Sequence, residues 1–456
     1  MTTPIQEWVR SLGLDAYLVG GAVRDELLGK DSTDADFLVP GVDTDGLKAA
    51  LEPLGRVEDL VVAERLVGVR LHPRDRELRR LAPKGIEFAP PRVERSTGPG
   101  RHDFEIVADP SASVEDDMRR RDFTINAMAR RLEDDTLIDP LGGEADLRAR
   151  RLSTVSPQSF REDPLRLVRG LRFVSELDLE PDAATLAQMH EEAPAIKLVS
   201  GERIGGGLAA DGMGELSKLL LGANPRKALR LARDTGVLVE VLPEFGPAIG
   251  FEQASERQTL TLDEHIFAVV QATADAGDPL AVRLAALLHD LGKPIDVDFR
   301  RHARIAARIA ADVLKRLRYP ERLRRRVVTV VGAHPFRAAD LPADPAAARR
   351  FMREHGDQIA LDLAAHRRAD LHGKAEDPVA AAAVEHLRRL LEQERSSPHH
   401  VRDLAIGGNE LIEVGFAEGP ALGRALERLL DDVVEDPGRN TRDGLLRRAG
   451  ELLGED

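Results

Sequence analysis

Near residue 160 the chain changes texture, and that change limits the architecture more than any single motif does. Ahead of it, short apolar runs alternate with glycine-rich turns. Tyr17-Leu18-Val19, Phe37-Leu38-Val39, Leu66 to Leu71 and Gly85 to Phe88 read as strands, and Val23 to Leu28 as a helix opened by Gly20-Gly21. Beyond it the apolar period is helical, as in Leu165, Val168, Leu171 and Phe173, or Leu216, Leu219 and Leu220. The pattern predicts an α+β head with a small mixed sheet, followed by a long all-α neck, body and tail. Breaks rich in Gly and Pro near 243–250, 340–345 and 396–398 divide it into 1–150, 151–250, 251–380 and 381–456. The glycine-rich stretch at 205–212 reads as a loop within helical territory.

Composition removes several classes of function. The 456 residues include no cysteine, which excludes disulfides, thiolate nucleophiles and cysteine-ligated zinc; any metal must sit on His, Asp or Glu. A formal charge of −14 excludes a general polyanion binder, so nucleic acid would need a local basic surface. Aromatic residues are only 4%, too few for base-stacking platforms. No apolar run approaches the roughly 18 residues of a membrane span, and the start, Met1 to Glu7, carries no basic-then-apolar leader pattern. A cytoplasmic location is the expectation.

The densest chemistry lies in Leu18-Val19-Gly20-Gly21-Ala22-Val23-Arg24-Asp25, followed by Asp34-Ala35-Asp36-Phe37. Glycines between a strand and a helix let backbone N–H groups approach an anion at a helix N-terminus, and Arg24 can fork onto phosphate oxygens. Asp34 and Asp36 are two apart, hence on one side of a strand. Two carboxylates so close suit a pair of Mg²⁺ ions in nucleotidyl transfer, and Glu87 in a later strand would complete the cluster.

These residues resemble the first motif of the class II CCA-adding enzymes and bacterial poly(A) polymerases, within the polymerase-β-like nucleotidyltransferases. Later segments resemble that family's motifs in the same order. Arg120-Arg121-Asp122-Phe123-Thr124-Ile125-Asn126 is similar to the second, where arginine meets phosphate and Asp122 the ribose. Asp139 to Gly143 with Asp146-Leu147 is similar to the hinge, and Glu162-Asp163-Pro164-Leu165-Arg166-Leu167-Val168-Arg169 to the neck motif. The resemblance implies that Asp163 and Arg166 read the incoming base, with Arg169 beside them. By spacing alone the pair are helix neighbours that could equally form a plain i, i+3 ion pair. A carboxylate and a guanidinium side by side match the amine and acceptor shared by C and A.

A second constellation follows in the body. Leu287-Leu288-His289-Asp290-Leu291-Gly292-Lys293 sets a His-Asp pair at the end of an apolar helix, with His265 before it and His302, His334 and Asp370 after. Imidazoles and carboxylates gathered from several helices suit a divalent metal such as Mn, Ni or Co. Read alone, His302 could belong to a solvated basic face and His334 to a helix end. The order is similar to the HD phosphohydrolase superfamily, which implies metal-assisted hydrolysis of phosphate esters.

The tail, with Gly407-Gly408 and Gly415 to Gly423, resembles the segment of CCA-adding enzymes that lies along tRNA; Arg148, Arg150, Arg151 and Arg324 to Arg326 are candidates to extend that surface. The resemblance therefore implies a template-independent enzyme adding C and A to tRNA from CTP and ATP. Rival readings are a poly(A) polymerase, a CC-only or A-only enzyme, an HD phosphohydrolase whose head merely binds RNA, and a non-catalytic RNA scaffold.

Overall fold

A computed structural model describes residues 3–30, 35–62, 65–96, 104–206, 213–253, 259–296, 300–341, 343–374 and 376–455. The chain forms two compact units, Met1–Ser200 with Leu231–Val241, and Gly201–Arg230 with Leu242–Asp456.

Among the described residues the first unit has the strands β1 Tyr17–Val19, β2 Asp36–Leu38, β3 Gly55–Val62, β4 Arg65–Pro73, β5 Ile86–Ala89, β6 Arg92–Ser96, β7 Phe104–Ala108, β8 Ala129–Arg131 and β9 Leu137–Ile138, and a short parallel pair, Arg151–Leu152 with Glu180–Pro181. Seven form one sheet in the order β3-β4-β5-β2-β1-β8-β9, while β6 and β7 pair as a hairpin. Only β2 and β5 run parallel within the seven, so the sheet is mixed, as the sequence predicts.

Alternation along the strands sorts side chains to two faces. Leu18, Phe37, Val69 and Phe88 enter one core, where the Phe37 and Phe88 rings stack 5.6 Å apart. Tyr17, Val19 and Leu38 enter a smaller cluster with Met118 and Ala127. Asp36 and Glu87 are direct register partners across β2 and β5. Beyond the sheet, the helix Leu165–Leu177 is fixed by Phe123, whose ring meets Phe160 at 6.2 Å and Phe173 at 5.7 Å, both edge-on. Gly170 makes room for that ring: a Cβ there would stand 3.0 Å from Phe123 Cζ.

The second unit is helical. Its body runs through Leu262–Asp275, Leu280–Leu288, His302–Arg316, Glu321–Ala333, Pro345–His355, Asp357–His372 and Pro378–Gln393. A tail of three helices, Gly408–Val414, Pro420–Glu435 and Arg442–Glu455, closes over Leu411, Phe416, Leu429 and Leu445. Part of the expected loop at 205–212 is instead a π-helical turn, Glu202–Gly206; 207–212 lie outside the described residues. Its glycines exist for close approach: a Cβ at Gly206 would come within 2.0 Å of Arg318 O, and Gly206 N–H donates to Leu317 O at 2.8 Å. Local composition reads as flexible there, but packing against 316–319 decides the conformation.

Candidate functional site

The glycine turn sits where the sequence places it, between β1 and the helix Gly21–Leu27. Gly20 has φ +68 and ψ −129, a backbone state only glycine adopts without strain. A Cβ at Gly20 would lie 2.5 Å from Arg121 Nη1, so the missing side chain also admits a guanidinium against the turn. Arg121 Nη1 donates to Asn126 O at 3.3 Å, and its Nε and Nη2 to Asp117 Oδ2 at 3.2 and 3.1 Å. Asp117 is fully buried and is shared with Arg92 at 3.4 Å and Arg120 at 3.9 Å. Burial opposes charge on Asp117, yet Arg121, Arg92 and Arg120 outweigh it and hold the carboxyl below the usual range.

The predicted residues fall on both sides of this turn. Asp36 opens β2, and with Glu87, Arg70, Arg121 and Val19 it lines one cleft. Asp34 lies outside the described residues. Glu87 stands beside Asp36 but is engaged: Arg70 donates to its Oε1 from Nε at 3.1 Å and from Nη2 at 2.5 Å. The expected third acid, Glu87, thus carries a guanidinium at Oε1.

Arg24 does not point freely at the turn. Its Nε and Nη2 donate to Asp25 Oδ1 at 2.9 and 2.8 Å, its Nη1 to Asn126 Oδ1 at 2.8 Å, and it lies 5.2 Å from the Phe173 ring centroid. Asp122 is likewise committed. Oδ1 accepts from Phe123 N–H at 2.9 Å and Asn126 Nδ2 at 3.1 Å; Oδ2 accepts from Arg169 Nε at 3.0 Å and Nη2 at 2.7 Å. All four lone-pair positions of the carboxylate are used, so contact with a ribose requires one of these donors to leave. Burial opposes its charge, but Arg169 and then Asn126 hold its pKa down.

Asp163 and Arg166 are not neighbours on one helix face. Pro164 disfavours helix at the residue before it; Asp163 is extended, with φ −142, and the helix starts at Leu165. Asp163 Oδ1 accepts from Leu165 N–H at 3.1 Å. Arg166 donates to Ser159 O at 3.1 Å, Glu162 Oε2 at 2.6 Å and Arg120 O at 3.0 Å, which ties the neck helix to the 120–126 segment.

In the second unit the predicted histidines and aspartates converge. His265 Nδ1 lies 2.9 Å from Gly373 O, His289 Nδ1 2.8 Å from Ala286 O and His334 Nδ1 2.7 Å from Val331 O. A carbonyl only accepts, so each Nδ1 carries the hydrogen, and in the neutral ring that a metal needs each Nε2 offers a lone pair toward the carboxylates. His265 Nε2 is 3.3 Å from Asp370 Oδ1, and His289 Nε2 is 3.1 Å from Asp290 Oδ2. On the other side of Asp290, Oδ1 is 3.5 Å from His302 Nε2 and 3.5 Å from His334 Nε2, which are 3.2 Å from each other. Two ligand groups result, His265/His289/Asp290 and Asp290/His302/His334, with Asp290 common to both. His302 and His334 therefore belong to the centre rather than to a basic face or a bare helix end.

The residues fit metal ions on a further ground. His265 Nε2, His289 Nε2, Asp290 Oδ1 and Asp370 Oδ1 are buried and make no hydrogen bond. Burial opposes charge on both carboxylates, yet they stay well below the usual range beside two ammonium groups: Lys293 Nζ lies 2.6 Å from Asp290 Oδ2 and Lys374 Nζ 2.6 Å from Asp370 Oδ2. Burial holds His289 neutral, the form a metal ligand needs.

One member was not legible. His366, four residues before Asp370 on the helix Asp357–His372, is wholly buried, sits edge-on to His289 at 4.9 Å, and has no hydrogen bond at either ring nitrogen. An i, i+4 spacing to a ligand was its only signal in the sequence.

Several basic residues expected on an RNA surface are paired internally. Arg326 grips buried Asp362 with 2.5 and 2.7 Å contacts, and Arg325 binds Glu321 at 2.8 Å. Arg148, Arg150 and Arg151 pair with Glu144, Asp178 and Asp146, although all three remain at least half exposed or nearly so. In the tail, Gly407 N–H is taken by Glu410 Oε2 at 2.9 Å.

Comparison with known proteins places both sites in one lineage. Residues 16–153 match the poly A polymerase head domain, 178–249 the probable RNA and SrmB-binding site of polymerase A, and 262–406 the HD domain. A multifunctional CCA protein of Pseudomonas aeruginosa is 34% identical over 436 residues, covering 91% of this chain and 96% of the relative. One from Cupriavidus pinatubonensis is 35% identical over 336 residues, covering 70% of this chain and 74% of the relative. Among solved structures, the Bacillus stearothermophilus CCA-adding enzyme in complex with CTP superposes with a TM-score of 0.70 at 26% identity, covering 99% of this chain and 96% of that one. The Thermotoga maritima CCA-adding enzyme complexed with tRNA shares the fold, with a TM-score of 0.58 at 20% identity, covering 99% of this chain and 93% of that one. With its glycine-turn head and HD centre in the same order and over nearly the same length, this chain belongs to the family of multifunctional CCA proteins.

Proposed function

We propose that the head transfers nucleotides from CTP and ATP to the 3′ end of tRNA, without a template, building CCA. The tRNA 3′ oxygen attacks the α-phosphorus, the α–β bond breaks, and pyrophosphate leaves. The observation that carries this reading is the cleft lined by Asp36, Val19 and Arg121, with Arg121 pressed against the Gly20 turn.

In this reading the triphosphate lies over Gly20 and Gly21, with Arg121 and Arg120 from the Asp117 cluster supplying positive charge. Arg24, Asn126 and Asp122 form the frame that fixes the turn to the neck, and Asp122 holds Arg169 in place. Asp163 and Arg166 present an acceptor and donors to the base. Mg²⁺ ions held by Asp34 and Asp36 would activate the attacking hydroxyl and neutralise the leaving pyrophosphate. Glu87 keeps Arg70 at the cleft rather than holding metal. Residues 1–150 act as head, 151–250 as neck, 251–380 as HD domain and 381–456 as the tRNA-facing tail. A tRNA substrate implies a cytoplasmic site of action; among the described residues no helix is long and apolar enough to cross a membrane.

The test is product length. A tRNA ending before its CCA, given CTP and ATP, gains three nucleotides; a gain of two, of one, or of a long A tract identifies the partial enzymes or the poly(A) polymerase instead.

A second activity is favoured by the orphaned buried donors of the HD centre. With a divalent ion such as Mn, Ni or Co, that centre would hydrolyse phosphate esters, 2′,3′-cyclic and 2′-phosphates being the natural probes. Hydrolysis abolished by Asp290→Asn while CCA addition continues supports it; equal hydrolysis in both proteins rejects it.

A further inference from the structure

Apart from the transferase cleft and the HD centre, one more set of ligand-type side chains converges among the described residues: Asp357, His399 and His400. Asp357 is the first residue of the helix Asp357–His372. The two histidines lie in the segment that leaves the helix Pro378–Gln393 toward the tail. Asp357 Oδ1 is 2.8 Å from His399 Nε2 and 3.0 Å from His400 Nε2, and the rings are 4.4 Å apart. The backbone that presents them is pinned, since Asp403 Oδ2 accepts from His399 N–H at 3.2 Å and His400 N–H at 2.9 Å.

The tautomer decides what the cluster does. His399 Nδ1 is 2.5 Å from Ser397 O, so Nδ1 carries the hydrogen. A neutral His399 then aims a lone pair from Nε2 at a carboxylate oxygen 2.8 Å away, and two acceptors do not hold that separation. A positive species must lie between them. A proton would serve only one of the two imidazoles, since His400 Nε2 points at the same Asp357 Oδ1 from 3.0 Å. A metal ion serves all three donors at once, and the Nδ1–H to carbonyl bond is the same supporting arrangement found behind His265, His289 and His334.

We propose that Asp357, His399 and His400 bind a divalent ion of the zinc, cobalt and nickel class, separate from the HD centre, which clips the 397–403 segment to the start of the helix Asp357–His372. Two imidazoles and one carboxylate are the donor set such ions prefer. The separation follows from the helix: Asp357 and the HD ligand Asp370 are 13 residues apart on it, about 20 Å at 1.5 Å per residue.

Full-length protein is stripped with chelator, incubated with excess Zn²⁺, desalted, and its zinc content measured against protein. Wild type is expected to carry one equivalent more than His400→Gln and one more than Asp357→Asn. The HD variant Asp290→Asn is expected to keep this ion, and the double variant Asp290→Asn/His400→Gln to lose it. Zinc should also raise the thermal midpoint of Asp290→Asn but not of the double variant. Equal zinc in wild type, His400→Gln and Asp357→Asn overturns the proposal and leaves an imidazolium–carboxylate pair. Should His400→Gln fail to fold, Asp357→Asn and the Asp290→Asn thermal shift decide the question.

Discussion

Replacing Gly20 by alanine separates backbone strain from the loss of an arginine. The positive φ of Gly20, +68, costs an L residue about 1–3 kcal/mol. The new Cβ would also meet Arg121 Nη1 at 2.5 Å, and because that atom ends a flexible side chain, the guanidinium withdraws rather than the backbone. Withdrawal gives up the bond to Asn126 O, about 1 kcal/mol. Together the head loses about 2–4 kcal/mol of stability, still within the usual reserve of about 5–15 kcal/mol. A displaced Arg121 also deprives the transition state of one charged donor, worth about 2–3 kcal/mol, so kcat/KM for CTP should fall roughly 30- to 150-fold. Gly29→Ala is the control: it shares a positive φ of 66, but a Cβ there meets nothing within 4 Å. Steady-state incorporation of labelled CTP into tRNA lacking CCA, with urea unfolding alongside, measures both effects. If Gly20→Ala and Gly29→Ala show the same kcat/KM, Arg121 has no part in holding the triphosphate.

Asp122→Asn should cost about 2–3 kcal/mol near neutrality, because Arg169 loses its buried counter-charge. The folded carboxyl titrates below its unfolded range, so its contribution is present above about pH 4 and fades as pH falls further. The stability gap between wild type and variant, followed by denaturant titration, should therefore be flat from pH 8 to 5 and narrow only below about 4; a gap that widens toward acid contradicts the pairing. Arg166→Ala is expected to lower the preference for CTP over UTP more than it lowers turnover with CTP, measured as the ratio of the two kcat/KM values. An unchanged ratio removes Arg166 from base selection. Because Asp290 belongs to both ligand groups, Asp290→Asn should release both HD ions where His302→Ala releases one; equal metal content in the two variants contradicts a shared ligand.

Much of the head was readable because its strands are short apolar runs closed by glycine: β1, β2, β4 and β5 all lie where Tyr17, Phe37, Leu66 and Ile86 place them. By contrast β3, with Arg56, Glu58 and Asp59, reads as polar because it is the sheet edge, where among the described residues one flank meets no strand. Asp163 illustrates a signal present but outweighed, since Pro164 marks the helix start and the helical spacing of 163 and 166 obscures it. The HD ligands were legible as an ordered set of types, whereas His366 and the His399–His400 pair became visible only through contacts between residues tens of positions apart. Arginines 324 to 326 read as an RNA face by charge alone, but Arg326 is bound to buried Asp362. Sequence order reports which groups exist, and only packing reports which of them are already spoken for.

The most direct trial of the whole account is nucleotide incorporation by Asp36→Asn, a change that keeps the side chain's size but removes its charge. Wild type should extend a tRNA lacking its 3′ end by CCA in the presence of Mg²⁺, and the folded variant should add at least about 1,000-fold less, the loss of one metal-holding carboxylate. Full extension by Asp36→Asn, or none by wild type, would contradict the assignment of this cleft as the nucleotidyl-transfer site.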